Sequence, residues 1–323
     1  MLIRLFAKNK NQLTRILLLK LWPISIFVKF FYSIRLSKPV YAWINRQGRK
    51  LFENRQQSLG KIGQQAVGTL KTDGIFVTSV NDIAKNPQLF SKLLQDSNNL
   101  LLANEVQQKI AQHHNDSDSK WYLIRGLGHS LKKGFIPPSF AELFLGEEVL
   151  SIVSSYLGTQ ARLNYVDLWY NLPVKESEPG ISSESWHRDH EDKHIVKLYV
   201  YLVDVDETMG PFMYLKRSQM GGEYGDVFPA IPATGNYPRP DMLQEVIQDR
   251  KIPVHSCVGP ASSVILCDTS GFHKGGRSST HPRVLLAGFY TSNAGLDANR
   301  YLLSDRAQYD ELAPSARYAL YME

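Results

Sequence analysis

The second half of the chain is patterned as short β-strands, and this pattern limits the choice of fold more than any other feature of the sequence. Within residues 195–205, aliphatic side chains occupy every second position from Val196 to Leu202 and alternate with Lys197, Tyr199, Tyr201 and Val203. This period of two is typical of a strand with two distinct faces. Further short apolar runs, at 161–172, 212–215, 263–267 and 284–291, are bounded by Gly- and Pro-containing turns. Such a series of short strands predicts an all-β sandwich or a jelly roll.

The first half of the chain is predicted to be mainly helical, apart from one early strand. Asp73 and Gly74 precede a short apolar run at 75–80, which we interpret as that strand. A helix is expected over about 83–96, and a second one within 138–157. Because the helices precede most of the strands, the predicted fold is mainly β with flanking helices, built on a double-stranded β-helix (jelly roll) core.

Charge divides the chain into a basic, helical N-terminal arm, residues 1–68, and a body, residues 69–323. Residues 1–52 contain eleven Lys or Arg and no Asp or Glu, whereas the rest of the chain has 26 basic and 31 acidic residues. A nucleic-acid-binding body is disfavoured, because it would need a basic excess. The two cysteines form neither a metal motif nor a disulfide framework, which suits a reducing, cytoplasmic location.

The arm also contains an apolar and aromatic segment, residues 13–36, that is interrupted by basic residues and a proline. It falls short of the roughly 18 uninterrupted apolar residues expected for a membrane span. It also lacks the small-residue cleavage site of a secretory signal. Two interpretations stay open: residues 1–50 contact a membrane surface through an amphipathic segment, or the arm forms helices that pack on the body.

An irregular insert, residues 220–250, interrupts the run of strands. It contains Gly221 and Gly222, four prolines and three aromatic residues, and it ends in a predicted helix over 240–249. Long irregular inserts between core strands often serve as lids or binding loops. The insert is therefore predicted to be lid-like.

His187 and Asp189 are two residues apart, and His273 lies in a later Gly-rich turn. On an extended segment, residues i and i+2 point to the same side, so both side chains can face the interior of a jelly roll. Two histidines and one carboxylate are the set that holds Fe(II) on one face and leaves three coordination positions open. We therefore predict that His187, Asp189 and His273 are the ligands of an iron site.

Arg283 lies ten residues after His273, at the start of a predicted strand. Leu285 and Phe289 would share its face, so Arg283 would be a single buried charge that needs an anionic partner. A guanidinium binds a carboxylate through two parallel hydrogen bonds. A dicarboxylate that chelates the metal at one end and meets Arg283 at the other, such as 2-oxoglutarate, fits this requirement. An ordinary Arg–Asp pair is the alternative, and Arg277 is a competing anchor that is expected to be exposed.

Residues from about 70 to 295 resemble the phytanoyl-CoA dioxygenase family of Fe(II)/2-oxoglutarate oxygenases. The resemblance lies in the stretches 186–189, 201–213 and 268–276, and in Arg283. It implies that His187, Asp189 and His273 bind iron and that Arg283 anchors the distal carboxylate of 2-oxoglutarate. It also implies a contact between Asn171 and 2-oxoglutarate.

The resemblance implies a dioxygenase that uses Fe(II), 2-oxoglutarate and O2. Such an enzyme would hydroxylate an unactivated C–H bond of a small metabolite or lipid-like molecule and release succinate and CO2. Asp189 favours hydroxylation over halogenation, because halogenating relatives lack this carboxylate. Arg188, Lys197 and Tyr199 are candidate substrate residues, with solvated charges at a strand edge as the alternative for Arg188 and Lys197. The rival functions are a non-catalytic jelly-roll binding protein and a zinc hydrolase with the same ligands.

Overall fold

The computed structural model describes residues 30–55, 59–112, 122–127, 134–174, 182–228, 238–296, 301–303 and 310–322. The strands are β1 (Ile75–Ser79), β2 (Leu123–Arg125), β3 (Gly134–Ile136), β4 (Arg162–Asn171), β5 (Val196–Tyr201), β6 (Phe212–Leu215), β7 (Val254–Cys257), β8 (Ser263–Asp268), β9 (His273–Gly275), β10 (Arg283–Thr291) and β11 (Tyr301–Leu303). The helices are α1 (Lys38–Ile44), α2 (Arg46–Glu53), α3 (Lys61–Asp73), α4 (Val80–Ile83), α5 (Leu89–Leu101), α6 (Asn104–Gln112), α7 (Pro138–Phe144), α8 (Glu147–Leu157), α9 (Pro240–Asp249) and α10 (Pro314–Ala319).

Two antiparallel sheets face each other across a buried layer of side chains. The larger sheet has six strands in the order β1-β8-β5-β10-β4-β2, and the smaller has three in the order β7-β6-β9. Aromatic and aliphatic residues of both sheets meet between them, among them Tyr201, Phe212, Tyr214 and Phe289. This arrangement, with its flanking helices, confirms the predicted jelly-roll fold class.

The alternation predicted for residues 195–205 is confirmed, and both faces of β5 are buried. Leu198 and Val200 pack in the cluster that includes residues of α3, α5, α7 and α8, on the outer face of the large sheet. Tyr199 and Tyr201 belong to the cluster between the two sheets. Successive side chains of a strand point to opposite faces, so one sequence run supplies both the helix-packing core and the wall of the inner cavity.

The helices differ from the sequence prediction at two places. The helix expected at 83–96 is two helices, because Ser79 and Asp82 form a capping box that starts α4 at once, and α5 begins only at Leu89. The helix expected within 138–157 is also two, α7 and α8. They are separated at Gly146, where a Cβ atom would lie only 2.7 Å from the carbonyl oxygen of Glu142.

The described part of the N-terminal arm packs on the body as short helices. Residues 30–36 are helical, and Arg35 donates a hydrogen bond to the carbonyl oxygen of Glu191 at 3.0 Å. The side chain of Asn45 accepts one from the backbone N–H of Asn293 at 2.9 Å. The boundary predicted at residue 68 falls inside α3, which contributes Ala66 to the main core. Residues 1–29 lie outside the described residues.

Within the described residues, no helix is both long and apolar enough to cross a membrane. The predicted helix at 240–249 is confirmed as α9. Leu243 and Ile247 of this helix pack with Leu215 and Phe272 in a cluster of their own. The described parts of the insert are therefore anchored to the small sheet, and residues 229–237 lie outside the description.

Candidate metal centre

The backbone around β9 brings His187, Asp189 and His273 together. His187 and His273 form an antiparallel bridge, in which each backbone N–H donates to the carbonyl oxygen of the other at 3.0 Å. The backbone N–H of Asp189 donates to the carbonyl oxygen of Thr269 at 2.8 Å. One ligand atom from each of the three side chains lies within 4.8 Å of the other two. The spatial grouping predicted from the sequence is thus present.

Backbone carbonyl groups orient both imidazole rings. The Nδ1 atom of His187 lies 2.9 Å from the carbonyl oxygen of Ser185, and that of His273 lies 3.0 Å from the carbonyl oxygen of Gly271. With a proton on each Nδ1, both rings donate to these carbonyls, and Nε2 is the acceptor nitrogen of each ring. Metal-binding histidines commonly use such a partner to fix the tautomer and the ring orientation. The donor set therefore fits a divalent transition metal.

The charge states of the ligands also suit a metal. Burial alone raises the pKa of Asp189, but Lys197, His273 and His187 lower it, and the net pKa lies well below the usual range. Burial, together with the neighbouring His187, lowers the pKa of His273 to about 3. A metal needs ionised carboxylate and neutral imidazole ligands, and the pKa directions of Asp189 and His273 favour these forms.

The three ligands open onto a cavity of about 440 Å³ between the two sheets. Its wall is aromatic: the rings of Tyr165 and Phe289 are stacked at a centroid distance of 5.0 Å, and Trp169 lies 5.7 Å from Tyr199. Arg283 lines the same cavity. This aromatic wall was not predicted from the sequence, although residues 165 and 169 have the even spacing of one strand face.

Arg283 is a buried cation without a hydrogen-bond partner on two of its nitrogens. It is the first residue of β10, is only 5% exposed, and its Nε and Nη1 atoms have no hydrogen-bond partner. Burial lowers the pKa of Arg283. A Cβ atom added to Gly275 would lie 3.5 Å from Nη2, so at this position no side chain covers the guanidinium. Unpaired buried charge is costly, and the position therefore fits an anionic ligand that enters the cavity.

Asn171 lies opposite Arg283 in the sheet. The two residues are paired between β4 and β10, and the side-chain amide of Asn171 donates to the carbonyl oxygen of Arg283 at 3.3 Å. Asn171 also lines the cavity. Its contact with a co-substrate stays a prediction, while its bond to the backbone supports the start of β10.

The guanidinium of Arg188 is engaged by the protein itself. It donates to the backbone carbonyl oxygens of Ser218, Ser270, Tyr224 and Val227. It also lies 4.1 Å from the ring centroid of Phe272. The alternative of a solvated charge is wrong, because Arg188 is only 3% exposed. Arg188 lines the cavity, and its contact with a substrate stays a prediction.

Lys197 and Tyr199 both line the cavity. The Nζ atom of Lys197 lies 2.6 Å from Oδ2 of Asp189, so its ammonium group forms an ion pair with one of the predicted metal ligands. The ring of Tyr199 lies 5.1 Å from that of Phe212 and forms part of the wall. The expectation that Lys197 is a solvated charge is wrong, and Tyr199 is positioned where a bound molecule would meet it.

Arg277 was expected to be exposed, but it is paired within the protein. Its side chain is half-buried and forms a two-point ion pair with Glu184, with nitrogen–oxygen distances of 3.1 and 2.7 Å. Glu184 lines the cavity. This pair closes one side of the pocket. Among the described arginines that line the cavity, Arg283 leaves two buried nitrogens without a hydrogen-bond partner, whereas Arg125 and Arg188 leave one each. The pair could not be predicted from the sequence, because its partners are far apart along the chain.

No family model and no curated protein matches the sequence, so the resemblance to the phytanoyl-CoA dioxygenase family is not confirmed by those comparisons. Among solved structures, the chain is similar to EctD from S. alaskensis, with 19% identity over 80% of this chain and 86% of that one, and a TM-score of 0.48. It is similar to AviO1 from Streptomyces viridochromogenes Tue57, with 16% identity over 75% and 99% and a TM-score of 0.48. It is also similar to SnoN, a non-heme alpha ketoglutarate dependent epimerase from nogalamycin biosynthesis, with 14% identity over 72% and 83% and a TM-score of 0.45.

Proposed function

We propose that the protein is an Fe(II)/2-oxoglutarate-dependent dioxygenase. One observation carries the proposal: a two-histidine, one-carboxylate cluster and a buried arginine with unused hydrogen-bond donors open onto the same cavity. The cluster fits a metal ion that keeps some of its coordination positions open for other ligands. The arginine fits a carboxylate. A dicarboxylate that bridges the two requirements explains both features with a single ligand.

In this proposal each residue has a defined task. His187, Asp189 and His273 hold Fe(II), and Arg283 receives the distal carboxylate of 2-oxoglutarate. Iron, 2-oxoglutarate and O2 together supply the oxidation, with succinate and CO2 as products. The protein contributes orientation and a cavity with an aromatic wall that limits access of water. No side chain is required as a general acid or base.

The reaction we propose is hydroxylation of an unactivated C–H bond in a small metabolite or lipid-like molecule. Asp189 supports hydroxylation over halogenation, because its carboxylate occupies the ligand position that a halide would need. Motifs around His187, His273 and Arg283 support membership of the phytanoyl-CoA dioxygenase family within this class. The cavity of about 440 Å³ must hold both 2-oxoglutarate and the reacting part of the substrate, which favours a small or slender substrate.

The two rival functions explain less of the site. A zinc hydrolase with the same ligands has no need of a partnerless buried arginine in its cavity. A non-catalytic binding protein of the jelly-roll type has no need of oriented histidines beside an ionised carboxylate. The Arg283 guanidinium is the feature that both alternatives leave unexplained.

Formation of succinate from 2-oxoglutarate tests the proposal. With Fe(II), ascorbate and O2, the wild-type protein should form succinate slowly without substrate and faster with the correct one. Asp189→Ala and His273→Ala should each abolish the reaction, because a metal ligand is lost. Lys274→Met, next to His273 but with its ammonium against the ring of Trp186, is the matched control and should retain turnover. Full turnover in either ligand variant would refute the iron assignment.

We also propose that residues 1–50 make peripheral contact with an anionic membrane surface from the cytoplasmic side. Phe30, Phe31 and Ile34 are exposed on the helix at 30–36, and Trp43 is exposed on α1. Together with the basic character of the arm, these side chains support an interfacial location. Sedimentation with anionic vesicles, but not with zwitterionic ones, is expected for the full chain. Equal sedimentation of a variant with Phe30, Phe31, Ile34 and Trp43 changed to Ser would contradict it.

A further inference from the structure

We propose that Arg125 is a specificity-determining residue, and that the substrate is a small hydrophobic carboxylic acid whose carboxylate binds the Arg125 guanidinium. The inference rests on the proposed function of the site and names the chemical class of its substrate. Arg125 and Arg283 both line the cavity. Since Arg283 receives the co-substrate in the proposed function, the two arginines bind different molecules.

Arg125 lies on β2, at the edge of the large sheet. It is paired with Trp169 of β4, and Trp169 is in turn paired with Leu285 of β10. Arg283 is two residues before Leu285, on a strand that β4 separates from β2. Neighbouring strands lie about 4.8 Å apart, so the backbones at Arg125 and Arg283 are about 10 Å or more apart. The two arginines therefore start from separate parts of the cavity wall.

Two groups orient the guanidinium of Arg125 without using its hydrogen-bond donors. Its Nη1 atom lies 3.6 Å from Oδ2 of Asp167, an ion pair beyond hydrogen-bond distance. The guanidinium carbon lies 5.6 Å from the ring centroid of Trp169. Asp167 already accepts hydrogen bonds from two backbone N–H groups and from the indole of Trp169. The ion pair thus fixes the direction of the guanidinium and leaves its donors unused.

The unused donors of Arg125 are the feature that points to a ligand. Nη1 is buried without a hydrogen-bond partner, and among the described residues none accepts a hydrogen bond from this side chain. The side chain is 21% exposed and lines the cavity, so a ligand in the cavity can reach it. A carboxylate offers a guanidinium two parallel, charge-assisted hydrogen bonds. A donor left without any partner is costly, and a carboxylate removes that cost.

The surroundings of Arg125 in the cavity are aromatic, and they determine the rest of the substrate. The ring of Trp169 lies 5.7 Å from that of Tyr199, and Tyr165 is stacked on Phe289 at 5.0 Å. These rings favour an apolar body, because burial of apolar surface stabilises a complex. The cavity of about 440 Å³ also has to hold 2-oxoglutarate. The acid is therefore small, with an apolar body against the rings and its carboxylate at Arg125.

The test is a calorimetric titration of phenylacetate and of phenylacetamide into the Fe(II)-loaded protein, with saturating 2-oxoglutarate and without O2. The two probes have nearly the same shape and differ in the charge of the carboxylate. The charge-transfer band of bound 2-oxoglutarate shows that the co-substrate stays in place. In wild type we expect phenylacetate to bind about 10-fold more tightly than phenylacetamide, as one charge-assisted pair provides.

Arg125→Met should lower the affinity for phenylacetate to that for phenylacetamide and leave the amide affinity unchanged. Arg125→Lys should keep part of the preference, since lysine retains the charge but lacks the two-point geometry. Arg250→Met is the matched control and should keep the full preference. Arg250 also pairs with a single aspartate, Asp226, at 3.3 Å, but it is exposed and does not line the cavity. Should Arg125→Met fail to fold, Arg125→Gln provides a neutral polar side chain, with the same loss expected.

Equal affinities for the two probes in wild type, or an acid preference that persists in Arg125→Met or Arg125→Gln, would overturn the proposal. Disappearance of the band on addition of phenylacetate would also overturn it, because the acid would then displace 2-oxoglutarate. The 2-oxoglutarate concentration for half-maximal band intensity should be the same in Arg125→Met and wild type, and a rise as large as that in Arg283→Met would assign Arg125 to the co-substrate instead. Failure of the proposed function has a different outcome, since wild type would then show no band before any probe is added.

Discussion

Two buried arginines lie near the ligand cluster, and their surroundings are opposite. The guanidinium of Arg188 donates to four backbone carbonyl oxygens, three of them in the 218–228 segment and the fourth at Ser270. The guanidinium of Arg283 leaves Nε and Nη1 without a partner and faces the cavity. Arg188 stabilises the fold, whereas Arg283 is available to a ligand. Burial of a charge therefore does not by itself mark a ligand site, and Arg283 is distinguished by two nitrogens without hydrogen-bond partners in a residue that lines the cavity.

The pKa values distinguish the two arginines less well than their hydrogen-bond partners do. Burial lowers the pKa of Arg188 to about 10, and burial also lowers that of Arg283. Both remain cationic at neutral pH. Since desolvation affects both in the same direction, the hydrogen-bond partners distinguish the two regions better than the titration does.

The largest effect on stability is expected for Arg188→Met. The substitution leaves several buried carbonyl groups without a donor, and we expect it to lower the free energy of unfolding by about 3 kcal/mol. Urea denaturation followed by circular dichroism measures this change. Stability equal to that of wild type would mean that the carbonyl groups find other partners. That result would contradict the structural role of Arg188.

Arg283→Met should have a large effect on the requirement for 2-oxoglutarate and a small effect on stability. Loss of a charge-assisted carboxylate pair costs about 1.5–3 kcal/mol, so the 2-oxoglutarate concentration for half-maximal succinate formation should rise about 10- to 150-fold. Stability should stay within about 1 kcal/mol of wild type or increase, because an unpaired buried charge is removed. A drop in stability as large as that of Arg188→Met would abolish the distinction between the two arginines.

Arg283→Lys sharpens the same comparison with a smaller effect. Lysine keeps the charge but lacks the two-point geometry that matches a carboxylate. We expect an intermediate requirement for 2-oxoglutarate, between those of wild type and Arg283→Met. Titration of 2-oxoglutarate into the three proteins tests the order, and a requirement in Arg283→Lys as high as in Arg283→Met would show that charge alone is insufficient.

The smallest expected effect concerns the buried pair of Asp268 and His194. Asp268 accepts hydrogen bonds from Tyr156 at 2.6 Å and from Ile195 at 3.1 Å, and its Oδ2 atom lies 2.8 Å from Nδ1 of His194. Burial lowers the pKa of His194, but the bond and charge of Asp268 raise it, and the net pKa lies above the usual value.

A raised pKa in the folded state means that His194 stabilises the protein when it is protonated. This contribution is complete below the unfolded pKa of about 6.5 and is lost as the pH rises through the folded pKa. The stability difference between wild type and His194→Gln should therefore be larger at pH 6 than at pH 9. Denaturation at both pH values measures it, and a difference that grew with pH would contradict the sign.

The sequence predicted much of the fold and the shared direction of His187 and Asp189, because both depend on local spacing. The alternation on β5 and the two-residue step from His187 to Asp189 report directly on which side chains share a face. The boundary between α7 and α8 was missed, although Gly146 lies there as the N-cap of α8 with an extended backbone. Buried apolar residues flank this glycine on both sides, so hydrophobicity alone does not mark the break.

The partners of the charged residues could not be predicted, because they are distant along the chain. Lys197 was expected to be a substrate contact or a solvated charge, but the fold places its ammonium on Asp189. Arg188 was expected to meet the substrate, but it binds carbonyl groups of a segment some 30 residues or more away. Spacing predicts which face a side chain occupies, and only the folded chain decides what it meets there.

The most direct test of the site as a whole is a titration of 2-oxoglutarate into the Fe(II)-loaded protein without O2, followed by visible absorption. Chelation of Fe(II) by 2-oxoglutarate produces a charge-transfer band. The band should appear in wild type, should require about 10- to 150-fold more 2-oxoglutarate in Arg283→Met, and should be absent in Asp189→Ala. Absence of the band in wild type, or equal 2-oxoglutarate affinity in wild type and Arg283→Met, would contradict the joint assignment of the metal ligands and the carboxylate anchor.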